Sequence, residues 1–243
     1  MTQYIFGRNP VQEWLSSQLP LSKILLVQDA HGLAVRAIEQ IANQRHVPIK
    51  RISRQAMSKI VGHERHQGVA AEIDMPGYAE LEDLLAKAEE KQEKPIIGIL
   101  DSIQDPQNLG AILRTADGAG IHGLVIPKYK AASLTPAAIK TSSGAAAYVP
   151  VARVTNLAQA IDELKEKGLW IVGTEQGAEK DYREIDYDQP IAIVLGSEGS
   201  GMRRLIREKC DFLVSIPMYG KINSLNVSVA AGLMFFEARR HRG

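Results

Sequence analysis

The sequence predicts an α/β architecture: a mostly parallel sheet flanked by helices, with a smaller α/β unit ahead of it. Three observations lead there. From Pro95 onward, short apolar runs alternate with segments of helical periodicity, as in doubly wound proteins. Those runs carry little polar alternation, which suits strands buried on both faces. Between residues 75 and 94 the composition turns acidic, setting apart a front segment with strand and helix signals of its own. The expected organisation is a first domain over 1–75, a connector over 76–94 and a second domain over 95–243.

In the first domain, Asn9-Pro10 followed by Gln12 has the form of an N-cap, a proline at the first helical position and a capping-box partner. This predicts a helix to about Leu19. Lys23–Gln28 suits a buried strand, and Leu33 to about Arg45 has helical spacing. Val47–Ile52 and Val69–Ile73 are further strands, separated by a short helix over Ser53–Val61 and the polar loop GHERHQG. Pro76-Gly77 ends the unit. AELEDLLAKAEEKQEK then reads as an exposed connecting helix.

In the second domain, strands are expected at Ile96–Asp101, Leu124–Ile126, Leu169–Gly173, Ile191–Leu195 and Phe212–Ile216. Helices are expected at about 108–119, 135–142, 156–167, 201–209 and 225–240.

Composition narrows the chemistry. A chain of 243 residues, 45% apolar and 23% charged, can bury a sizeable core and is neither disordered nor fibrous. Its single cysteine, Cys210, excludes a disulfide framework and a cysteine zinc cluster, and is expected as a core thiol. The six histidines form no HExxH pair, so no metal site is expected. The opening MTQYIFGRNPV lacks the pattern of a secretory leader, and no apolar run approaches spanning length, so the expectation is a soluble cytoplasmic protein without a membrane partner.

The net charge of +1 hides an uneven distribution. Residues 1–74 carry nine bases against six acids, residues 75–94 three against six, and residues 95–243 seventeen against sixteen. The densest basic stretch contains Arg45, Lys50, Arg51, Arg54, Lys59 and Arg65, interleaved with His46, His63 and His66. It reads as a solvated surface or as a patch that meets phosphates.

Three polar clusters follow strands of the second domain, where open α/β sheets place their sites. In DPQNLGAILRTADGAG, Asn108 and Arg114 are six residues apart and do not stack on one helical face. They converge only if Asn108 precedes the helix; otherwise Asn108 is an N-cap and Arg114 a surface residue. In LGSEGSGM, glycines around Glu198 permit tight turning and close backbone approach to a ligand. Neither a Walker loop nor a GxGxxG fingerprint is present. In IPMYGKINSLNVSVAAG, Ser224 and Asn226 are suited to capping the last helix, and no nucleophile elbow surrounds Ser224.

Together and in this order, the segments DPQNLGAILRTADGAG, IVLGSEGSGMRRL and IPMYGKINSLNVSVAAG resemble the three motifs of the SpoU/TrmH family. The N-terminal YIFGRNPVQEWL and HQGVAAEI resemble the accessory domain of its 23S rRNA guanosine-2′-O-methyltransferase branch, an RNA-binding unit like those of ribosomal proteins. The resemblance implies a SPOUT-type sheet with a deep trefoil knot at the C-terminus, a homodimer, and transfer of a methyl group from S-adenosylmethionine to a ribose 2′-hydroxyl of RNA. The implied target is a guanosine in the peptidyl-transferase region of 23S rRNA or of an assembly precursor.

By position in the motifs, Asn108 and Arg114 are the substrate-side pair, Glu198 the acidic residue of the second motif, and Ser224 and Asn226 the polar residues of the third. Gly173, Thr174, Gly196, Ile216, Met218 and Leu225 are implied to hold the cofactor. Arg114 is implied to activate the hydroxyl; a guanidinium has no acceptor, so binding a phosphate and stabilising a developing alkoxide suit it better than taking a proton. Methylation of tRNA or another rRNA site, base methylation on a similar knot, a non-catalytic RNA-binding assembly factor and a generic nucleotide-binding enzyme are the competing readings.

Overall fold

The computed structural model describes residues 2–16, 19–62 and 64–242. His63 lies outside the described residues. The chain divides into two compact units, Met1–Gly77 and Tyr78–Gly243.

The first unit is a four-stranded sheet in the order β1-β4-β2-β3, built from β1 (Thr2–Phe6), β2 (Lys23–Val27), β3 (Ile49–Ile52) and β4 (Val69–Asp74). β4 runs antiparallel to β1 and β2, while β2 and β3 are parallel. The strand β1 is an addition to the sequence reading, which placed no strand before the first helix. Helix α1 (Arg8–Ser16) packs against α2 (Leu33–Gln44), burying Trp14, Leu15 and Ile38, and α3 (Arg54–Val61) places Met57 against Leu25, Val27 and Ala70.

Two expectations in this unit need correcting. Helix α1 starts at Arg8, so Asn9 is inside it rather than its cap. The Arg8 amide is satisfied from outside, donating to Gln67 Oε1 at 3.0 Å, and Gly7 turns the entry with φ +96°. The basic stretch also loses members. Arg45 donates to the carbonyls of Leu15 and Leu19 at 2.7 and 2.9 Å, holding the chain beyond α1. His66 is buried, its Nδ1 accepting from the Gly68 amide at 3.0 Å. Lys50, Arg51, Arg54, Lys59 and Arg65 remain exposed.

The second unit is a seven-stranded sheet whose recorded pairings are all parallel. Its order is β7-β6-β5-β10-β8-β11-β9, with β5 (Ile96–Leu100), β6 (Gly123–Pro127), β7 (Val151–Val154), β8 (Trp170–Thr174), β9 (Lys180–Asp181), β10 (Ile191–Leu195) and β11 (Phe212–Ser215). β5, β6 and β10 are buried throughout, as their unbroken apolar runs require. The short edge strands β7 and β9 carry weaker signals and were not expected. The helices are α4 (Leu81–Glu90), α5 (Pro106–Gly118), α6 (Pro136–Thr141), α7 (Leu157–Glu166), α8 (Arg204–Glu208) and α9 (Val227–Arg240). The acidic helix α4 is no free connector: Leu81, Leu84 and Ala88 are buried, and Leu84 occupies the space that a side chain at Gly123 would need.

Close approach holds the remaining layers together. Gly98 in β5 leaves room for Phe235 of α9, since a Cβ there would meet the ring at 2.8 Å. Near the C-terminus, Arg242 donates to the carbonyls of Tyr187, Lys94 and Gln189, tying the chain end to the segments that lead into β5 and β10. At Gly110 in α5, a Cβ would come within 2.5 Å of the Ala138 carbonyl oxygen and 2.6 Å of Thr141. Alanine is the better helix former by about 1 kcal/mol, but here the clash is with backbone. Gly110→Ala is therefore expected to destabilise the protein by roughly 1–3 kcal/mol, read as a lower urea midpoint.

His122, immediately before β6, is fully buried. Its Nδ1 accepts from the Ile96 amide at 2.9 Å, and its Nε2 faces Glu93 Oε2 at 3.3 Å. Glu93 is held in turn by Arg239. Burial pushes the imidazole from its ordinary 6.5 down to about 4, with Glu93 only partly opposing the shift. The unfolded chain thus binds a proton that the folded chain refuses between those values, and stability falls as pH drops through that window. Urea titrations at pH 7 and pH 5 should show a loss on the order of 2 kcal/mol from this group, absent from the same comparison in His122→Gln.

Candidate active site

The carboxyl ends of β8, β10 and β11 open on a cavity of about 350 Å³. One wall is the loop that leaves β10, Gly196 to Met202, and the other is formed by Ile216, Met218 and the segment Asn223–Leu225 before α9. The loop closes on itself through reciprocal backbone hydrogen bonds between Ser197 and Gly201, at 3.1 and 2.9 Å. Gly196 is required for this turn, because a Cβ would meet the Gly201 carbonyl carbon at 2.3 Å and the Met202 amide at 2.4 Å. Gly201 itself has φ +65°. Beyond the loop, the buried Asp101 at the end of β5 accepts from the Arg203 amide and from Arg203 Nε, both at 2.7 Å. That pair fixes where the loop rejoins the fold. Sequence reading did not single it out, although an aspartate ending a buried strand was the available signal.

Glu198 is the centre of the site. Its Oε1 accepts from Asn226 Nδ2 at 2.5 Å, from the Val227 amide at 3.1 Å and from Asn108 Nδ2 at 3.3 Å. Asn226 Nδ2 also donates to Asn108 Oδ1 at 3.0 Å, and Asn226 Oδ1 caps α9 by accepting from the Ser228 amide at 2.9 Å. One residue from each sequence cluster is thus joined in a single network on the exposed side of the cavity.

Asn108 reaches this network from inside α5, as its third residue; the cap is Asp105, which accepts from Gln107 at 2.8 Å. The readings of Asn108 as N-cap or pre-helical residue are both corrected: Pro106 already begins the helix. With both residues in one helix, the six-residue spacing keeps Arg114 off the face of Asn108. Arg114 is exposed and makes no hydrogen bond or ion pair among the described residues.

Of the residues expected around a cofactor, Thr174, Gly196, Ile216, Met218 and Leu225 line the cavity, as do Ser224 and Glu198. Thr174 Oγ1 donates to the Val194 carbonyl at 3.1 Å, so its hydroxyl hydrogen ties β8 to β10. Gly173 is the exception. It is not in the cavity wall, and a Cβ there would meet Cys210 Sγ at 2.6 Å and Met202 Cε at 2.8 Å, so its small size serves packing. Cys210 donates to the Ile206 carbonyl at 3.3 Å, and burial pushes its thiol up to about 12, which leaves it unreactive at neutral pH. No group of potential metal ligands occurs among the described residues, and no described helix is long and apolar enough to cross a membrane.

Comparison with known proteins identifies the family. Residues 95–236 match the SpoU rRNA Methylase family, and residues 4–79 match the RNA 2′-O ribose methyltransferase substrate-binding family. The YacO protein of Bacillus subtilis (strain 168), named for the TrmH family of tRNA/rRNA methyltransferases, is 46% identical over 239 residues, covering 98% of this chain and 96% of its own. The SpoU methyltransferase AviRb from Streptomyces viridochromogenes, solved with AdoMet, shares the fold with a TM-score of 0.70 at 24% identity, covering 99% of this chain and 90% of its own. The AdoMet-bound rRNA methyltransferase from Sinorhizobium meliloti gives a TM-score of 0.67 at 25% identity, over 99% of this chain and 87% of its own. The chain belongs to the SpoU/TrmH family of S-adenosylmethionine-dependent RNA 2′-O-methyltransferases.

Proposed function

We propose that the chain methylates the ribose 2′-hydroxyl of a guanosine in the peptidyl-transferase region of 23S rRNA, acting in the cytoplasm as a homodimer. The observation that carries the catalytic part is the acceptance by Glu198 of hydrogen bonds from Asn108, Asn226 and the start of α9, at the mouth of a cofactor-sized cavity. The ribosomal target is supported by the N-terminal segments YIFGRNPVQEWL and HQGVAAEI and by the rRNA methyltransferase of Sinorhizobium meliloti. A tRNA target is the second reading, favoured by the wider name that the Bacillus subtilis relative carries. The dimer is supported by the apolar residues Val229, Leu233 and Phe236, which share one face of α9 and are 51%, 38% and 54% exposed. The trefoil knot is part of the same proposal, resting on the resemblance of the third motif.

The cavity suits the cofactor chemically. Its volume is in the range of small-ligand pockets, and Leu195, Val214 and Ile216 provide apolar wall beside the polar backbone of the glycine loop. Gly196, Ile216, Met218 and Leu225 would hold the adenosine through backbone and packing, with Thr174 alongside. Bound there, S-adenosylmethionine supplies an electrophilic methyl carbon whose leaving group is a neutral thioether. The protein's part is alignment and exclusion of water. Asn108 keeps one N–H and one lone pair beyond its network bonds, enough to orient a ribose hydroxyl. Glu198 locks Asn108 and Asn226 in their rotamers, and Ser224 offers a hydroxyl from the cavity wall. Arg114, which makes no hydrogen bond or ion pair among the described residues, would bind the neighbouring phosphate and stabilise charge developing on the 2′-oxygen.

The residue assignments predict a split between rate and cofactor binding. Asn108→Ala should lower kcat by roughly 10- to 100-fold, with the calorimetric Kd for S-adenosylmethionine within about threefold of the native value. Arg114→Lys should likewise lose turnover, because an ammonium cannot reproduce bidentate phosphate contact. The target itself is tested by incubating the protein with unmodified total rRNA and tRNA and mapping the 2′-O-methylated nucleotide. A guanosine in the peptidyl-transferase region of 23S rRNA is the expected product; exclusive labelling of tRNA would refute the ribosomal assignment.

A further inference from the structure

A second cavity, of about 310 Å³, opens on the same edge of the parallel sheet. Its walls are the segments that follow β6 and β7, with Tyr129 and Lys130 on one side, Thr155 and Asn156 on another, and Arg203 and Leu205 closing it. The two cavities are neighbours by construction. Met202 lines the first and Arg203 the second, and the Asp101–Arg203 pair pins the chain between them. In the sheet, only β5 separates β6 from β10, so the strand ends feeding the two sites are about 10 Å apart.

The lining has a particular chemistry. Tyr129 and Leu205 are 63% and 56% exposed, a planar ring and an aliphatic edge left uncovered at the rim. Lys130 is exposed and has no ion-pair partner among the described residues, and Lys128 Nζ sits 5.6 Å from the centroid of the Tyr129 ring. No aspartate or glutamate lines the cavity. The amides that open α7 are already capped by Asn156, at 3.1 and 3.3 Å, so its positive character comes from side chains. An uncovered aromatic face with unneutralised cations beside it fits a base with its phosphate. Stacking and backbone charge are how proteins hold single-stranded RNA. A purely apolar partner would leave Lys128 and Lys130 unmatched.

We infer that this cavity binds a nucleotide of the RNA next to the one methylated, its base against Tyr129 and Leu205 and its phosphate toward Lys130 and Lys128. The inference rests on RNA being the substrate. It gives the second unit a grip of its own on the strand, one that fixes which nucleotide beside the cofactor cavity is presented.

The full-length protein can be tested by fluorescence anisotropy with a short single-stranded oligouridylate, and by the KM for unmodified rRNA. Tyr129→Ala should weaken oligonucleotide binding and raise KM by roughly tenfold or more, whereas Tyr129→Phe, which keeps the ring, should stay within about twofold. Lys130→Ala should lower the slope of log affinity against log salt by about 0.7. Calorimetric affinity for S-adenosylmethionine should be unchanged in all three, which also reports that the cofactor cavity is intact. Native oligonucleotide affinity and native KM in Tyr129→Ala would overturn the inference, as would equal losses in Tyr129→Ala and Tyr129→Phe. The two readings fail separately: absence of methyl transfer by the native protein would refute the activity, while the anisotropy series still decides the subsite.

Discussion

One carboxylate oxygen, Oε1 of Glu198, accepts from two side chains and one backbone amide that the chain supplies from far apart. Asn108 is 90 residues away along the chain and Asn226 is 28. Charge-assisted bonds of this kind are stronger and more directional than neutral ones, so a single side chain sets the relative position of α5, the glycine loop and the start of α9. The loop can present Glu198 there because both its ends are fixed. At one end Gly196 admits the backbone turn, and at the other the buried Asp101 clamps Arg203. Loss of the carboxylate would leave Asn226 with its capping role and its single bond to Asn108 Oδ1, and would release Asn108 Nδ2.

Charge is handled differently at the two edges of the parallel sheet. At the amino edge, where β5 and β6 begin, Glu93 pairs with Arg239 and lies 3.3 Å from the buried His122 ring, and Arg242 is absorbed by three carbonyls. The carboxyl edge has internal pairs too, Asp101 with Arg203 and Glu175 with Arg207. Yet Lys130, which lines the second cavity there, makes no hydrogen bond or ion pair among the described residues. Such a cation is available to a polyanion without first breaking an internal bridge. A protein with a net charge of +1 can therefore engage RNA at chosen points without holding it everywhere.

Much of this was legible in the chain because the signals were local. Unbroken apolar runs gave β5, β6 and β10, whose burial on both faces leaves no room for polar alternation. The glycine loop and the capping asparagine were visible as residue types in sequence. Features set by tertiary context were not. β1 and β9 are short strands whose existence depends on a partner edge. The α4 helix looked like a solvated connector until Leu84 met Gly123. The start of α1 is fixed by Gln67, 59 residues on, and a capping rule read from neighbours cannot see it. In the site, the positions of Asn108, Glu198 and Asn226 could be listed from their clusters, but their convergence on one oxygen could not. Gly173, expected beside the cofactor, lies outside the cavity wall, and its lack of a side chain admits Cys210 and Met202.

The last segment of the chain closes the second unit. Phe235 fills the space over Gly98, Asn226 completes the network at Glu198, and Arg242, the last of the described residues, ties down the approaches to β5 and β10. Proteins are made from the amino end, and domains fold as units when their sequence has emerged. Here the first strand of the sheet waits for a helix translated more than a hundred residues later. A nascent chain stalled before α9 would lack Phe235 over Gly98 and Asn226 at Glu198, so the second unit is completed only once α9 has been translated.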